Sequence, residues 1–165
     1  MILGTGIDIA EVPRIRQSIE RFGNRFLRRI YTEGEIRYCD SKANRVERYA
    51  ARFAAKEAAM KALGTGWSHG VRWRDCEVAR MPGGRPTIIF HGKAGEIAAK
   101  LGVKNAALSL SHTSEQAIAQ VILENYTSAC GRTFVIHRRA PVIPSSARDL
   151  GFCPRRLCCC YKQEP

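Results

Sequence analysis

The longest helical pattern in the chain is the feature that most restricts how it can fold. Apolar residues recur at helical spacing from about Asn44 to Leu63, where Asn44 suits an N-cap and Gly64 suits a C-terminal stop. Its apolar stripe consists of Val46, Ala50, Phe53, position 57 and Met60. Position 57 is Glu57, and a carboxylate that faces the core is destabilising unless it is paired or bound to a metal ion. The helix therefore predicts both the centre of the core and a candidate site.

Other elements are predicted on both sides of this helix. A short strand comes first and carries Asp8 at its end, and the helix that follows bends at Gly23. Thr32 and Glu35 resemble a capping box that opens a second, short helix. Beyond residue 70, the pattern predicts a helix at 93–101 and strands at 71–79, 86–91, 106–112 and 117–123, with the last two strands forming a hairpin. A strand, then helices, then mostly strands indicates an α+β fold.

The composition of the chain changes near residue 125. Residues 1–124 contain 20 basic and 13 acidic residues and only two cysteines, whereas five of the seven cysteines lie in residues 125–165. We therefore expect one domain at 1–124 and a disordered Cys/Pro/Arg-rich extension at 125–165. A redox or zinc-binding tail is a weaker alternative, because the adjacent cysteines at 158–160 suit no usual ligand spacing.

The formal net charge of +12 favours anionic partners, namely nucleic acid, an acidic protein, a phosphorylated metabolite or a membrane surface, and does not choose among them. Six arginines lie between Arg14 and Arg29 against the single acid Glu20, so a basic nucleic-acid-binding module is one interpretation. No apolar run approaches the length needed to span a bilayer, and Asp8 and Glu11 near the N-terminus do not suit a signal peptide. We therefore expect a cytoplasmic protein without a membrane partner.

Two carboxylates are the strongest chemical candidates. Glu57 precedes Lys61 by four residues, so one interpretation is a simple ion pair at the edge of the core. Asp8, taken alone, suits a turn or cap residue. Taken together, a strand-end carboxylate and a core-facing carboxylate suit one Mg²⁺ ion, which binds one or two carboxylates together with substrate phosphates and water. The neighbouring cations Arg52, Lys56 and Lys61 suit those phosphates.

A second candidate is the segment Ser109–His112, which ends a predicted strand. No aspartate is placed to complete a recognisable Ser-His-Asp triad, so a hydrolase is a weak interpretation. The hydroxyls and the imidazole would suit phosphate contacts instead, and a histidine with only a structural role in the hairpin is the remaining alternative.

Five segments within residues 1–124 occur in the order and spacing of one known family. They are Gly6–Ile9 (GIDI), Arg52–Ala58 (RFAAKEA) followed by Lys61, Gly64–Gly66 (GTG), Gly84–Pro86 (GRP) and Ser109–His112 (SLSH). In these segments the chain resembles the bacterial holo-[acyl-carrier-protein] synthases, the short single-domain type of 4′-phosphopantetheinyl transferase. RFAAKEA is the most specific of the five.

The resemblance implies a 4′-phosphopantetheinyl transferase fold, with an antiparallel sheet packed against one long helix and shorter helices. It also implies a homotrimer with active sites between subunits. The implied reaction moves phosphopantetheine from coenzyme A to a serine of acyl carrier protein in fatty acid biosynthesis, with Mg²⁺ as cofactor and adenosine 3′,5′-bisphosphate as the second product. Under this interpretation we expect no nucleic-acid partner.

The resemblance also implies roles for individual residues. Asp8 and Glu57 match metal ligands, and Glu57 and Lys61 are the candidate catalytic residues. The residues that match the coenzyme A site are Arg52, Lys61, Gly64, Arg85, Pro86 and His112, and those that match the basic helix for the acidic carrier protein are Arg14, Arg21 and Arg25. Position 85 is Arg where the family usually has Lys, and either residue can hold a phosphate by its charge.

The reaction implied by the resemblance is a displacement at a phosphorus atom, in which positioning and charge stabilisation dominate. Mg²⁺ on Asp8 and Glu57 would clamp the pyrophosphate, and Lys61 would neutralise charge on the leaving side. The attacking serine belongs to the partner, so this chain needs no nucleophile of its own. The general base stays open between a metal-bound water and a carboxylate at the metal site, Glu57 included.

Overall fold

The structure is a computed structural model that describes residues 1–126. In chain order the elements are β1 (Ile2–Glu11), α1 (Val12–Ile30), α2 (Glu33–Asp40), α3 (Arg45–Ala62), a 3-10 turn (Trp73–Asp75), β2 (Cys76–Arg80), β3 (Pro86–Phe90), α4 (Gly92–Lys100), β4 (Asn105–His112) and β5 (Gln116–Glu124). A three-stranded antiparallel sheet has the order β1-β5-β4, and β2 pairs with β3 in a second antiparallel sheet. The predicted α+β class is confirmed. The predicted extension at 125–165 lies outside the described residues from residue 127 onwards.

Local sequence signals explain where several elements begin and end. Gly23 has φ 51° inside α1 and produces the expected bend, because a positive φ suits glycine. The Thr32 side chain accepts a hydrogen bond from the Glu35 backbone N–H, and the Glu35 carboxylate accepts one from the Thr32 N–H, so the predicted capping box forms. The predicted strand at 71–79 was wrong in its first half, because the 3-10 turn occupies residues 73–75. Within residues 1–126, no helix is both long enough and apolar enough to cross a membrane.

The contact between β1 and α3 is made by backbone atoms. A Cβ atom at Gly4 would lie 2.1 Å from the carbonyl oxygen of Ala62, and one at Gly6 would lie 1.9 Å from that of Ala58. The helix face below them is built from alanines, namely Ala54, Ala55, Ala58, Ala59 and Ala62, all of them buried. Small residues on both elements let the strand lie directly on the helix, and we call this contact the glycine–alanine seam.

The predicted apolar stripe of α3 is confirmed only in part, because Ala50 and Met60 are buried, whereas Val46, Phe53 and Glu57 are half-buried. On this helix the fully buried charged side chain is Lys56 rather than Glu57, which is half-buried at the edge of the core. Lys56 Nζ lies 2.9 Å from Glu35 Oε2 and also donates to the carbonyl oxygens of Trp73 and Cys76. These contacts join α2, α3 and β2 in one buried polar cluster. Most residues of α3 are buried, and many of them are alanines spread around the helix. Its hydrophobic periodicity therefore identifies no single face that points to the core.

Candidate functional site

Asp8 and Glu57 line one cavity of about 340 Å³ between β1, α1 and α3. The alternation of side chains along β1 places Asp8 on the same side as Gly6, which is the side that faces α3. Glu57 projects into the cavity from α3. Arg14 and Phe53 are among the other lining residues. The two carboxylates therefore line one cavity, as the sequence predicted, and we expect the seam under Gly6 to set their spacing.

The charges in this cavity are coupled. Lys61 Nζ donates to Asp8 Oδ1 at 2.8 Å and to the Ile7 carbonyl oxygen at 3.1 Å. Burial raises the pKa of Glu57 above its ordinary value, the negative charge of Asp8 raises it further, and Lys61 acts in the opposite direction. Among the described residues, Lys61 forms its ion pair with Asp8, and the simple Glu57–Lys61 pair considered from the sequence does not form.

A second cavity of about 370 Å³ is rich in cations. Arg52 is buried and its guanidinium lies 4.1 Å from the centre of the Tyr38 ring, while the guanidinium of Arg80 lies 4.7 Å from the same ring. Arg52 Nε has no hydrogen-bond partner among the described residues. His112 also lines the cavity, and its Nδ1 lies 3.6 Å from Glu47 Oε2. An unsatisfied buried guanidinium beside other cations suits an anionic group such as a phosphate.

The remaining predicted residues lie around these two cavities. Pro86 lines the second cavity, and Arg85 before it is exposed in the turn between β2 and β3. Gly64 follows the end of α3 with φ 73°, a left-handed conformation that ends the helix. Arg21 and Arg25 are exposed on α1.

The predicted site residues therefore form two groups within one chain. One group is Asp8, Glu57 and Lys61, and the other is Arg52, Pro86 and His112. Sequence reasoning missed Tyr38 and Arg80. Neither residue belongs to a motif with a chemical signature, and only tertiary contacts bring them from α2 and β2 to Arg52.

Within residues 1–126, no group of three or more His, Cys, Asp and Glu side chains is arranged to hold a metal ion. The first cavity offers two carboxylates, one from each side of the seam. An ion bound there would need further oxygen ligands from a substrate or from water.

Most of the described chain is similar to known proteins. Residues 4–122 match the model of the 4′-phosphopantetheinyl transferase superfamily. The holo-[acyl-carrier-protein] synthase of Koribacter versatilis is 70% identical over 125 residues, which are 76% of this chain and 100% of that protein. The synthase of Solibacter usitatus is 64% identical over the same shares of both chains.

Solved structures of the same kind of enzyme are also similar. The holo-[acyl-carrier-protein] synthase of Neisseria meningitidis has a TM-score of 0.68 and 34% identity, and the match covers 75% of this chain and 99% of that one. The Helicobacter pylori enzyme, solved in complex with coenzyme A, has a TM-score of 0.64 and 31% identity over 73% of this chain and 99% of its own. A Bacillus anthracis synthase in complex with CoA (3′,5′-ADP) has a TM-score of 0.62 and 38% identity, and the match covers 76% of this chain and 99% of that one.

Proposed function

This chain belongs to the 4′-phosphopantetheinyl transferase superfamily, and from that membership we infer that it is a holo-[acyl-carrier-protein] synthase. It transfers 4′-phosphopantetheine from coenzyme A to a serine of apo acyl carrier protein and releases adenosine 3′,5′-bisphosphate. The observation that carries this function is the cavity shared by Asp8 and Glu57 beside Lys61. A nucleic-acid-binding module would account for the arginines of α1, but it gives no reason for two carboxylates to share a cavity. We place the reaction in the cytoplasm and in fatty acid biosynthesis, since the acceptor is acyl carrier protein.

Asp8 and Glu57 fit a Mg²⁺ ion. Both supply hard oxygen ligands, and the charge of Asp8 already raises the pKa of Glu57, so a cation between them would relieve this repulsion. The ion would supply charge neutralisation on the pyrophosphate of coenzyme A. Residues 1–126 bring no third His, Cys, Asp or Glu to this pair, so phosphate oxygens and water would complete the site.

In the proposed mechanism Lys61 would neutralise the charge of the leaving phosphate. Its side chain is 50% exposed although it is paired with Asp8, so the ammonium group can turn from the carboxylate towards a bound phosphate. The nucleophilic serine comes from the carrier protein, and in this mechanism the residues of this chain orient the pyrophosphate and stabilise its developing charge. The cation-rich cavity around Arg52 and His112 would hold phosphates of coenzyme A, with Arg85 in the exposed turn before Pro86. Gly64 lies at the other end of α3 and would contact coenzyme A there.

We propose a homotrimer in which one protomer supplies Asp8 and Glu57 while its neighbour supplies Arg52 and His112. The two groups line separate cavities within one chain. Each cavity would therefore be one half of a site, and the other half would come from a neighbouring protomer. The outer face of the β1-β5-β4 sheet supports association, because three isoleucines on it are more than a third exposed: Ile7, Ile9 and Ile118. Ile9 and Ile118 are opposite each other in the β1–β5 register, so they form one apolar patch.

Acyl carrier protein would dock on α1. Arg14 lines the cavity that holds Asp8, while Arg21 and Arg25 are exposed further along the helix. Exposed cations that lead to the reacting centre would orient an acidic partner and accelerate its encounter.

Mass spectrometry of apo acyl carrier protein tests the function directly. The full chain with coenzyme A and Mg²⁺ should add one phosphopantetheine to the carrier, and chelation of the metal should stop the reaction. Asp8→Asn and Glu57→Gln should abolish transfer, whereas Glu11→Gln should keep it, because Glu11 lines the same cavity but does not perturb the pKa of Glu57. Full activity of Asp8→Asn under saturating coenzyme A would show that the metal-ligand assignment is wrong.

Mixed subunits test the shared site. Glu57→Gln and Arg52→Ala should each be inactive alone and should regain activity when they are co-expressed, because some contacts between subunits would then combine two intact halves. Co-expression of Glu57→Gln with Asp8→Asn is the matched control, since both changes damage the same half. Equal activity in the two mixtures would rule out sites between subunits.

A further inference from the structure

A third cavity lies outside both halves of this site. It measures about 560 Å³ and opens between the end of α1, the loop at Trp67 and the 3-10 turn. Four arginines line it: Arg28, Arg29, Arg72 and Arg74. We call it the arginine–tryptophan cleft.

The acidic groups of this cleft are already paired. Asp75 is buried and accepts hydrogen bonds from the backbone N–H and the guanidinium of Arg72. Glu77 accepts a hydrogen bond from Thr32 Oγ1 at 2.9 Å and lies 2.7 Å from His91 Nε2. These pairs leave the remaining cations of the cleft without an internal counter-charge.

Three exposed arginines of the cleft, Arg28, Arg29 and Arg74, have no hydrogen-bond or ion-pair partner among residues 1–126. Trp67 beside them is 64% exposed. Arginine and tryptophan are the residue types that dominate the energetic centres of protein interfaces. The cleft therefore combines an unpaired positive charge with an apolar anchor on the surface.

An aromatic wall separates the cleft from the cavity that holds Asp8. Phe53 lines the Asp8 cavity, Trp73 lines the cleft, and their rings are stacked with centroids 4.7 Å apart. A protein that delivers a serine to Asp8 must cover the surrounding surface. A standard interface covers about 800 Å² on each partner, which corresponds to a disc of about 16 Å radius. The cleft lies immediately behind the wall and so within the reach of such a partner.

Building on the proposed function, we propose that the arginine–tryptophan cleft is a second docking surface for acyl carrier protein. The carrier would contact Arg14, Arg21 and Arg25 along α1 and continue past Gly23 to the cleft, where acidic side chains would meet the unpaired arginines and an apolar side chain would pack on Trp67. Charge complementarity and continuity along α1 favour the carrier over coenzyme A as the occupant.

Kinetics of the full chain with each substrate varied test this proposal. At low salt, Arg74→Glu and Arg28→Glu should each raise the KM for apo carrier about fivefold or more. The KM for coenzyme A should not change. Arg74→Lys keeps the positive charge, so its KM for carrier should be close to that of the wild type. High salt should reduce the difference. The matched control is Arg16→Glu, which makes the same charge change on α1. Arg16 lies about 200° around the helix from Arg14 and lines neither the cleft nor the Asp8 cavity, so this variant should keep the wild-type KM for carrier.

Trp67 supplies a direct binding signal. In a Trp73→Phe variant it is the only tryptophan of the chain, and its emission should shift to shorter wavelength when apo carrier is added to the chain already saturated with coenzyme A. A KM for carrier that does not change in Arg74→Glu, or a Trp67 emission that does not respond to apo carrier, would overturn the proposal. A wild-type chain that modifies no carrier would instead overturn the proposed function.

Discussion

Gly6→Ala is expected to damage the fold and the activity together, because β1 and α3 touch through backbone atoms at this residue. The new Cβ atom would lie 1.9 Å from the Ala58 carbonyl oxygen and 2.8 Å from the Ala62 nitrogen. An ordinary van der Waals contact begins at 3.4 Å, so the new Cβ atom and the Ala58 carbonyl oxygen, 1.9 Å apart, would have to separate by about 1.5 Å. No side-chain rotation can relieve this clash, since both neighbours are backbone atoms.

The magnitude follows from two opposing effects. Overpacking of a close contact typically destabilises by about 1–3 kcal/mol, whereas the replacement of glycine by alanine restricts the unfolded chain and stabilises by about 0.4–1 kcal/mol. The clash here is severe, so we expect a net loss of about 2 kcal/mol in the free energy of unfolding. Asp8 follows Gly6 on the same side of β1, and a displacement of about 1 Å at a reacting centre can reduce the rate roughly 100-fold.

Urea unfolding followed by circular dichroism, together with the carrier mass-shift assay, measures both effects at one protein concentration. Gly34→Ala is the matched control, because a Cβ atom there meets Glu77 Oε1 at an ordinary 3.6 Å inside α2, where alanine is the better helix former. We expect this control to be at least as stable as the wild type. If Gly6→Ala unfolds within about 0.5 kcal/mol of the wild type and transfers at full rate, then the seam does not determine the spacing of the carboxylates.

Three further predictions concern the charges of the site, the buried ion pair and the domain boundary. The pKa of Glu57 is raised in the folded protein, so ionised Glu57 destabilises the metal-free protein above that pKa. In EDTA at pH 7, Glu57→Gln should therefore have a higher melting temperature than the wild type. This difference in melting temperature should disappear as the pH falls towards 4.5, because Glu57 is then protonated in the folded and the unfolded chain. Lys56→Met should lower the free energy of unfolding by about 3–5 kcal/mol in urea, because it leaves the Glu35 carboxylate buried without its partner. The double variant with Glu35→Gln should recover part of this loss. Glutamine has no charge and keeps an oxygen that accepts from the Val78 N–H. We propose that residues 1–124 form the complete catalytic domain, so a chain truncated after Glu124 should retain the mass-shift activity, and loss of activity with the fold intact would contradict this boundary.

Local sequence signals predicted the parts of the fold that depend on neighbouring residues. The capping box at Thr32, the bend at Gly23 and the hairpin that ends at residue 123 each follow from chemistry within a few positions. The sequence also indicated that Asp8 and Glu57 could meet at one site, and they line one cavity, although Glu57 lies at the edge of the core rather than facing it.

The contacts that depend on distant residues were not predictable. Lys56 neighbours Glu57 in the chain, yet it is buried against Glu35 from another helix, and the apolar stripe favoured the wrong one of the two. Tyr38 and Arg80 meet at Arg52 only after three separate elements have packed. Periodicity reports which residues are buried more readily than it reports which residues meet.

The glycine–alanine seam has a consequence for the dynamics of the catalytic centre. Side chains in a core hop between rotamers, and elements that pack through long side chains shift slightly when they do so. Gly6 and Ala58 have no side-chain rotamers, so rotamer changes at the seam cannot shift β1 relative to α3. The two acids would therefore meet each arriving ligand with nearly constant geometry, and little ordering entropy would be lost when it binds.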